Sequence, residues 1–463
     1  MTVAELLSPG EAENSFPDGN CAHIAVGIVA DDLTGGGDSA VQFARDGWRT
    51  RLALTSPDGA IVGHGAVLAL VSDARAQPAA LARRSTSEAV EALGHAGVNR
   101  LLLKIDSTMR GSAHEQILGA LEAWRLRHSE AFAVVCPSYP AMGRTVRNGH
   151  VLVNGRGVET TAVGVDPVTP VTTDLLCELL PGSAHIALGA GTAVEHAAQL
   201  RTAAANPTRV VTVDATTDAD LLALAEAVAL LGDEAVPAGS AGLAVALSHV
   251  WRPAVTGTSK PEHGQAERVV VVVSSLHDVS RSQYDHLLRS TPSEHVRTFA
   301  PSLGMLLQPG AITGWIVDQL AAAPELPAVV IVATPSERPT ASALQPVNGQ
   351  TATETAAVII ADGLATITAA VFAHRPVGAV VLMGGEGARA VLTRFEAGAI
   401  AVTDAIREGI PVGRIEGGLA GGLTVVTKAG GFGDTTSISD ILPELLAGHV
   451  LSPSDNPNPG EHP

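Results

Sequence analysis

Apolar runs of about five residues alternate along this chain with longer stretches rich in alanine and leucine. Residues 24–29, 67–71, 101–105, 131–136 and 209–213 read as buried strands, and 38–46, 79–93, 113–127, 193–205 and 218–231 as helices between them. Such alternation predicts βαβ units and a largely parallel sheet, because parallel strands need a crossover and a helix supplies it. The pattern breaks after Trp251 in a polar, Pro/Gly/Ser/Thr-rich stretch read as a linker over 252–267. It resumes with strands at 269–273, 328–333, 378–383 and 423–427, and helices at 311–323, 354–373, 389–397 and 438–446. The expected fold is therefore α/β with two domains, 21–251 and 268–451, each a largely parallel sheet flanked by helices. Residues 1–20 and 452–463, rich in Pro, Glu, Asn and Ser, read as disordered tails. Residues 137–170, dense in Gly and Pro, read as a long loop of the kind that is either functional or disordered.

In open α/β sheets, ligands bind at the carboxyl ends of strands. The run 101–105 ends in Lys104, Asp106, Ser107, Thr108 and Arg110, and the run 24–29 ends in Asp31-Asp32-Leu33-Thr34-Gly35-Gly36-Gly37-Asp38. Fixed cations, carboxylates and hydroxyls in such places suit a small polyhydroxylated anion. Adjacent residues on a strand point to opposite sides, so one of Asp31 and Asp32 is expected to face the cleft and the other to support the loop. Asp32 or Asp106 is the expected acceptor of a hydroxyl proton, with Asp434 as a competing base.

Two glycine-rich turns follow strands in the second half. One is Met383-Gly384-Gly385-Glu386-Gly387; the other is Lys428-Ala429-Gly430-Gly431-Phe432-Gly433-Asp434. Glycine lets backbone N–H groups approach a phosphate, and a helix N-terminus adds partial positive charge. Lys428 could add a point charge on a phosphate, and Asp434 reads either as an Mg²⁺-linked residue or as an N-cap. No Gly-Lys-Ser/Thr occurs, no G-x-G-x-x-G opens a helix after the first strand, and Ala30 stands where a D-x-D-x-T phosphatase needs its nucleophile. Neither H-E-x-x-H nor C-x-x-C is present, so no zinc is expected and the metal ligands stay unassigned.

A formal charge of −18 argues against nucleic acid or an anionic membrane as partner. Cys21, Cys136 and Cys177 are too few and too scattered for a disulfide framework. The N-terminus lacks the basic start and apolar run of a signal peptide, and no apolar stretch is read as approaching the roughly 20 residues of a membrane helix. A cytoplasmic location is the expectation.

With these residues in view, the chain resembles the four-carbon acid sugar kinase family, once described as a domain of unknown function. The resemblance rests on Ala30-Asp31-Asp32-Leu33-Thr34-Gly35, Ser72-Asp73-Ala74-Arg75, Lys104 to Gly111, Pro140 to Thr145, Asn148-Gly149-His150, Asp166-Pro167 and Gly239-Ser240-Ala241-Gly242-Leu243. In the second half it rests on Gly384-Gly385-Glu386 and on Lys428 to Asp434. It implies ATP-dependent phosphorylation of threonate, erythronate or a 3-oxo-tetronate, with the sugar acid on the N-terminal domain, ATP with Mg²⁺ on the C-terminal one and the active site in the interdomain cleft. Arg75, Lys104, Arg110 and Arg144 are then expected to include the clamp on the substrate carboxylate. Ser107, Thr108 and His150, beside Asp31, are expected to meet its hydroxyls, with helix capping the other reading of Ser107 and Thr108. Ser274, Ser275, Gly384, Gly385, Glu386, Gly387, Lys428, Gly430, Gly431 and Gly433 form the expected ATP site. Two departures fall there: Ser274-Ser275-Leu276-His277-Asp278 lacks the family's glycine, and Gly387 replaces its threonine. They motivate a rival reading, a non-catalytic sugar-acid sensor on a degenerate kinase scaffold; a dinucleotide-dependent dehydrogenase is a third. A homodimer is the expected form of any self-association.

Overall fold

Strands whose every residue is apolar can be covered on both faces, and that is how this chain uses them. The computed structural model describes residues 24–55, 62–166, 168–252, 266–308, 310–337 and 352–446. Both expected tails and all but the ends of the expected linker lie outside these residues. Contacts divide the chain into two units: Met1–Ser259 with Ala399–Asp404, and Lys260–Gly398 with Ala405–Pro463.

The sheet of unit 1 is built from β1 (Ala25–Ala30), β2 (Arg49–Ala53), β3 (Ala66–Val71), β4 (Arg100–Lys104), β5 (Phe132–Cys136), β9 (Ala184–Ile186), β10 (Val210–Val213) and β11 (Ala235–Gly239). They run in the order β2-β3-β1-β4-β11-β5-β10-β9, all parallel. A ninth strand comes from far along the sequence: the first half of β16 (Ala399–Arg407) pairs antiparallel with β2, Ala399 opposite Ala53. Register aligns the carboxyl ends: Ala30 lies beside both Val71 and Lys104, and Lys104 beside Gly239. Helices α1 (Leu33–Arg45), α2 (Ala79–His95), α3 (Ala113–Arg125) and α6 (Asp218–Leu231) lie between successive strands, and α7 (Ala241–Val250) follows the last of them, β11. The unit has few aromatics, and Trp124 in α3 is fully buried among Val, Leu, Ile and Ala, its indole N–H donating to the Asp233 carbonyl at 2.9 Å.

Unit 2 has β12 (Val269–Val273), β13 (Val296–Phe299), β14 (Val329–Ala333), β15 (Ala379–Met383), β17 (Ile410–Glu416) and β18 (Thr424–Lys428) in the order β13-β14-β12-β15-β18-β17. All are parallel except β17, which runs antiparallel to β18. Val273, Met383 and Lys428 are aligned, so three turns leave the same end of the sheet side by side. Helices α8 (Asp278–Ser290), α11 (Ala352–His374), α12 (Gly385–Arg394) and α13 (Ser437–Leu445) pack with this sheet.

Several expectations needed correction. The first helix begins at Leu33, five residues before the expected start at Asp38; Asp32 caps it, its carboxylate accepting from Gly35 N at 2.9 Å. Three glycines had the look of a loop, but all three are helical, with Gly36 and Gly37 buried. The expected loop at 137–170 holds a three-stranded antiparallel sheet, β6 (Arg144–Arg147), β7 (His150–Val153) and β8 (Arg156–Gly157). Its two turns are Asn148-Gly149 and Asn154-Gly155, all four residues at positive φ, which is the hairpin signal the sequence carried. The helix expected at 389–397 is α12, ending at Arg394, and its tail runs into β16. Strands β2, β9, β11, β13, β16 and β17 were not anticipated. Finally, a stretch of membrane-spanning length does exist: Ala356–His374 has a mean hydropathy of 2.0 over a window 44% buried. Asp362, Gly363 and Thr366 had masked it; Leu364, Ile367 and Val371 are buried in unit 2, and Phe372 packs against Phe395 at 5.2 Å between ring centroids.

Candidate active site

In unit 1 the polar residues that follow the aligned strand ends meet in one charge network. Arg75, on a short 3₁₀ turn after β3, donates Nε to Asp31 Oδ2 and Nη2 to Asp31 Oδ1, both at 2.8 Å. It also donates to both oxygens of Asp32, at 2.8 and 3.0 Å, and lies 3.7 Å from Asp106. The expectation that Asp31 and Asp32 diverge is corrected. The strand ends at Ala30 and Asp32 is already the N-cap of α1, so both carboxylates turn to the same guanidinium. Asp106 accepts from Arg110 Nε at 3.1 Å and Nη2 at 2.9 Å, and its Oδ2 also accepts from the Thr108 amide and hydroxyl. Thr108 therefore serves Asp106, not a helix; the residue at the N-cap position of α3 is Ser112, and Ser107 is half-buried.

Charge balance keeps these groups ionised. Burial pushes the Asp32 and Asp106 carboxyls up, but Arg75, Lys104 and, for Asp106, Arg110 outweigh it, so both titrate below the ordinary range, Asp106 well below. Arg75, likewise penalised by burial, is held charged by three aspartates. Among the three carboxylates, Asp32 is the most open, with 23% of its side chain exposed against 1% for Asp31 and 9% for Asp106.

The four expected clamp cations separate into two groups. Arg75 and Arg110 are committed to carboxylates; Arg110 also reaches Asp166 Oδ2 at 3.4 Å. Lys104 is different. Its side chain is 6% exposed, its nearest carboxylate is Asp31 at 3.8 Å, and no hydrogen bond from its ammonium reaches a described residue. Gly35 makes room for it: a Cβ there would lie 2.6 Å from Lys104 Nζ and 2.5 Å from Asp32 Oδ1. Arg144, at the start of β6, donates only to the Met142 carbonyl among the described residues, leaving most of its fork unspent. Burial and the Arg110 charge lower its pKa, and Asp106 works against them. His150 is engaged elsewhere, its Nδ1 3.0 Å from Asp174 Oδ1. Asp166 was matched to the family pattern but not assigned a role; its Oδ1 accepts from the Val168 and Thr169 amides at 2.9 Å, and only its contact with Arg110 ties it to the network.

In unit 2 the three neighbouring turns interlock. Ser274 and Ser275 both donate backbone N–H to the Met383 carbonyl, and Gly384 N donates to the Lys428 carbonyl at 3.0 Å. Gly384 sits at φ 112, and an added Cβ would lie 2.6 Å from Ser274 Oγ; one on Gly430 would lie 2.3 Å from Ser275 Oγ. The turn that lacks the family's glycine closes another way: Ser275 Oγ accepts from His277 N, and the His277 ring caps α8 by accepting from Val279 N at 3.2 Å. Gly387 has no room for a side chain, since Ser274 occupies the place 2.3 Å from its would-be Cβ. Gly385 and the exposed Glu386 begin α12. Glycine is required at these contact points by the neighbouring serines, which fill the space a side chain would take.

Two residues here behave differently from expectation. The side chain of Lys428 is fully buried and its ammonium donates to the Ala429, Phe432 and Gly430 carbonyls at 2.8, 2.9 and 3.3 Å, so it shapes the loop rather than standing open as a point charge. Asp434 is exposed, and every hydrogen bond to its carboxylate falls on Oδ1, from Thr436 N, Thr436 Oγ1 and Ser437 Oγ. The N-cap of α13 is Thr436, not Asp434, so the capping reading is corrected: Asp434 holds the turn that precedes the helix, and its Oδ2 accepts from no described residue. No cluster of three or more metal-ligating side chains occurs among the described residues. Sequence reasoning missed Ser280 and Gln283 of α8, which bond to the Gly430, Phe432 and Asp434 carbonyls; nothing local marks them.

Comparison with known proteins agrees with this division. Family models described as a sugar-binding N-terminal domain and a nucleotide-binding C-terminal domain match residues 26–247 and 270–438. A Bordetella bronchiseptica protein named D-threonate kinase is 41% identical over 88% of this chain and 94% of its own length. A Heliobacterium modesticaldum protein named D-erythronate kinase is 27% identical over 90% of this chain and 96% of that one. A solved structure from Salmonella typhimurium LT2 covers 89% of this chain and 97% of its own at a TM-score of 0.70 and 23% identity, which shows a shared fold. Resemblance in motif, full-length match and fold thus converge: the chain belongs to the four-carbon acid sugar kinase family, phosphotransferases that act on a hydroxyl group.

Proposed function

We propose that this protein transfers the γ-phosphoryl group of ATP to a hydroxyl of D-threonate. The observation that carries the reading is the pair of under-used cations in unit 1, Lys104 and Arg144, set in a network whose other charges are matched. A nearly buried ammonium held only by an ion pair at 3.8 Å has donors to offer an anionic ligand, and a sugar-acid carboxylate is such a ligand. D-Threonate is favoured over its epimer by the 41% identity shared with the Bordetella protein of that name.

In this reading Arg144 and Lys104 grip the carboxylate. Asp32, the most open carboxylate of the network, accepts the proton of the attacking hydroxyl. Its low pKa suits a loose transition state, in which that proton leaves late. Arg75, Arg110, Asp31, Asp106 and Thr108 hold Asp32 and the loop after β4 in place. The Gly384, Gly430, Gly431 and Gly433 backbone holds the phosphates in unit 2, and Asp434 Oδ2 is the carboxylate oxygen available to Mg²⁺. Bound Mg-ATP supplies the phosphoryl group and neutralises charge on it.

The test is an ADP-release assay with Mg-ATP against D- and L-threonate, D- and L-erythronate and 3-oxo-tetronates. The highest kcat/KM is expected for D-threonate. A preference for another acid overturns the substrate, and silence across the panel from folded protein overturns ATP-dependent turnover.

A further inference from the structure

The loop after β18 has an unusual distribution of backbone groups. Its carbonyls are turned inward onto three buried side chains from two elements. Lys428 Nζ donates to the Ala429, Gly430 and Phe432 oxygens, and Ser280 Oγ donates to the Gly430 oxygen at 2.7 Å. Gln283 Nε2 donates to Phe432 O at 3.0 Å and Asp434 O at 2.7 Å. Lys428, Ser280 and Gln283 are all buried.

A trans peptide is planar, and its C=O and N–H point in opposite directions. Drawing the 429, 430 and 432 carbonyls inward therefore turns the amides of Gly430, Gly431 and Gly433 the other way. Those three amides donate to no described residue, and Gly431 and Gly433 are exposed. Successive outward amides of this kind make an anion-binding concavity.

We infer that Lys428, Ser280 and Gln283 are positioning residues that set the orientation of the 430–433 amides, and that these amides, not the lysine ammonium, meet the nucleotide phosphates. The inference rests on the ATP reading above and deepens it. Ser280 and Gln283 carry no charge and lie on α8, so their influence on a phosphate runs through the loop alone.

The experiment uses the full-length protein and compares wild type with Ser280→Ala, Gln283→Met and Lys428→Met in steady-state assays, varying Mg-ATP and the sugar acid separately. A titration of each variant with ADP accompanies the assays. Each variant is expected to raise the KM for ATP about tenfold or more, as loss of one hydrogen bond to an organised anion site does, with the KM for the sugar acid unchanged. Should Lys428→Met fail to fold, the two α8 variants still decide the matter. An ATP KM within about twofold of wild type in both α8 variants, or an equal rise for both substrates, overturns the inference alone. A wild-type protein that binds no nucleotide overturns the ATP reading and the inference with it.

Discussion

Both units present polar groups at the carboxyl ends of parallel strands, yet they build those surfaces from different materials. Unit 1 uses side-chain charge: aspartates, arginines and a lysine that satisfy one another first and leave two cations under-used. Unit 2, on the proposed reading, uses backbone amides, oriented by buried side chains that bond to the carbonyls of the same loop. A charged network is specific for a particular arrangement of charge and hydroxyls, because every member is already fixed by its partners. An amide cradle recognises phosphate whatever carries it. The contrast suits an enzyme class whose members share a phosphoryl donor and differ in the acid they phosphorylate.

The largest expected effect comes from breaking the charge network at its centre. Arg75→Met leaves Asp31 buried without its guanidinium and should cost about 3–5 kcal/mol of stability, read from the denaturant midpoint. A loss below about 1 kcal/mol would mean that Lys104 alone compensates the aspartates. Next, Arg144→Met should raise the sugar-acid KM about 100-fold, the worth of a charge-assisted pair, with little change in stability or in the ATP KM. Arg110→Met tested beside it should instead lower stability, since that side chain is committed to Asp106. A smaller pair of effects sharpens the contrast: Gly35→Ala crowds Lys104 and Asp32 and should raise the acid KM and lower kcat without moving the ATP KM, whereas Gly430→Ala crowds Ser275 and should raise the ATP KM without moving the acid KM. Kinetics that fail to separate the two substrates would dissolve the division of labour.

The smallest predicted effect is in pH. Burial lowers the Lys428 ammonium to about 8, so it is charged below that pH and loses a proton and a donor above it. The ATP KM should be flat below pH 8 and rise by a few fold above it. Asp32 and Asp106 have pKa values depressed below 3.8, so their pairing is complete at neutral pH and is lost only as pH falls through those lowered values. The sugar-acid KM should stay level across the range in which the ATP KM climbs.

How much of this could be read beforehand follows from the range of the interactions. Strand ends at Ala30 and Lys104, and the glycine turns at 384 and 430, are marked locally by an abrupt change from apolar to polar residues. What Arg75 and Lys428 do is not local: one joins three aspartates from two other loops, and the other is read through partners on α8 about 150 positions away. Ser280 and Gln283 look like ordinary helix residues until the loop carbonyls above them are seen. The hairpins at 144–157 were missed for a different reason. Their Asn-Gly turns were present, but strands of two to four residues are too short for alternation to declare itself.

The antiparallel strand that closes unit 1 at β2 has a consequence for synthesis. Ala399 is translated long after Ala53, and at about 5–20 residues per second β2 waits tens of seconds on the ribosome for its neighbour. During that time a sheet edge with unpaired amides and carbonyls is available to other nascent chains. The arginines at 49 and 51, both exposed on that strand, put positive charge along the waiting edge, a deterrent to β-pairing between copies before the chain is complete.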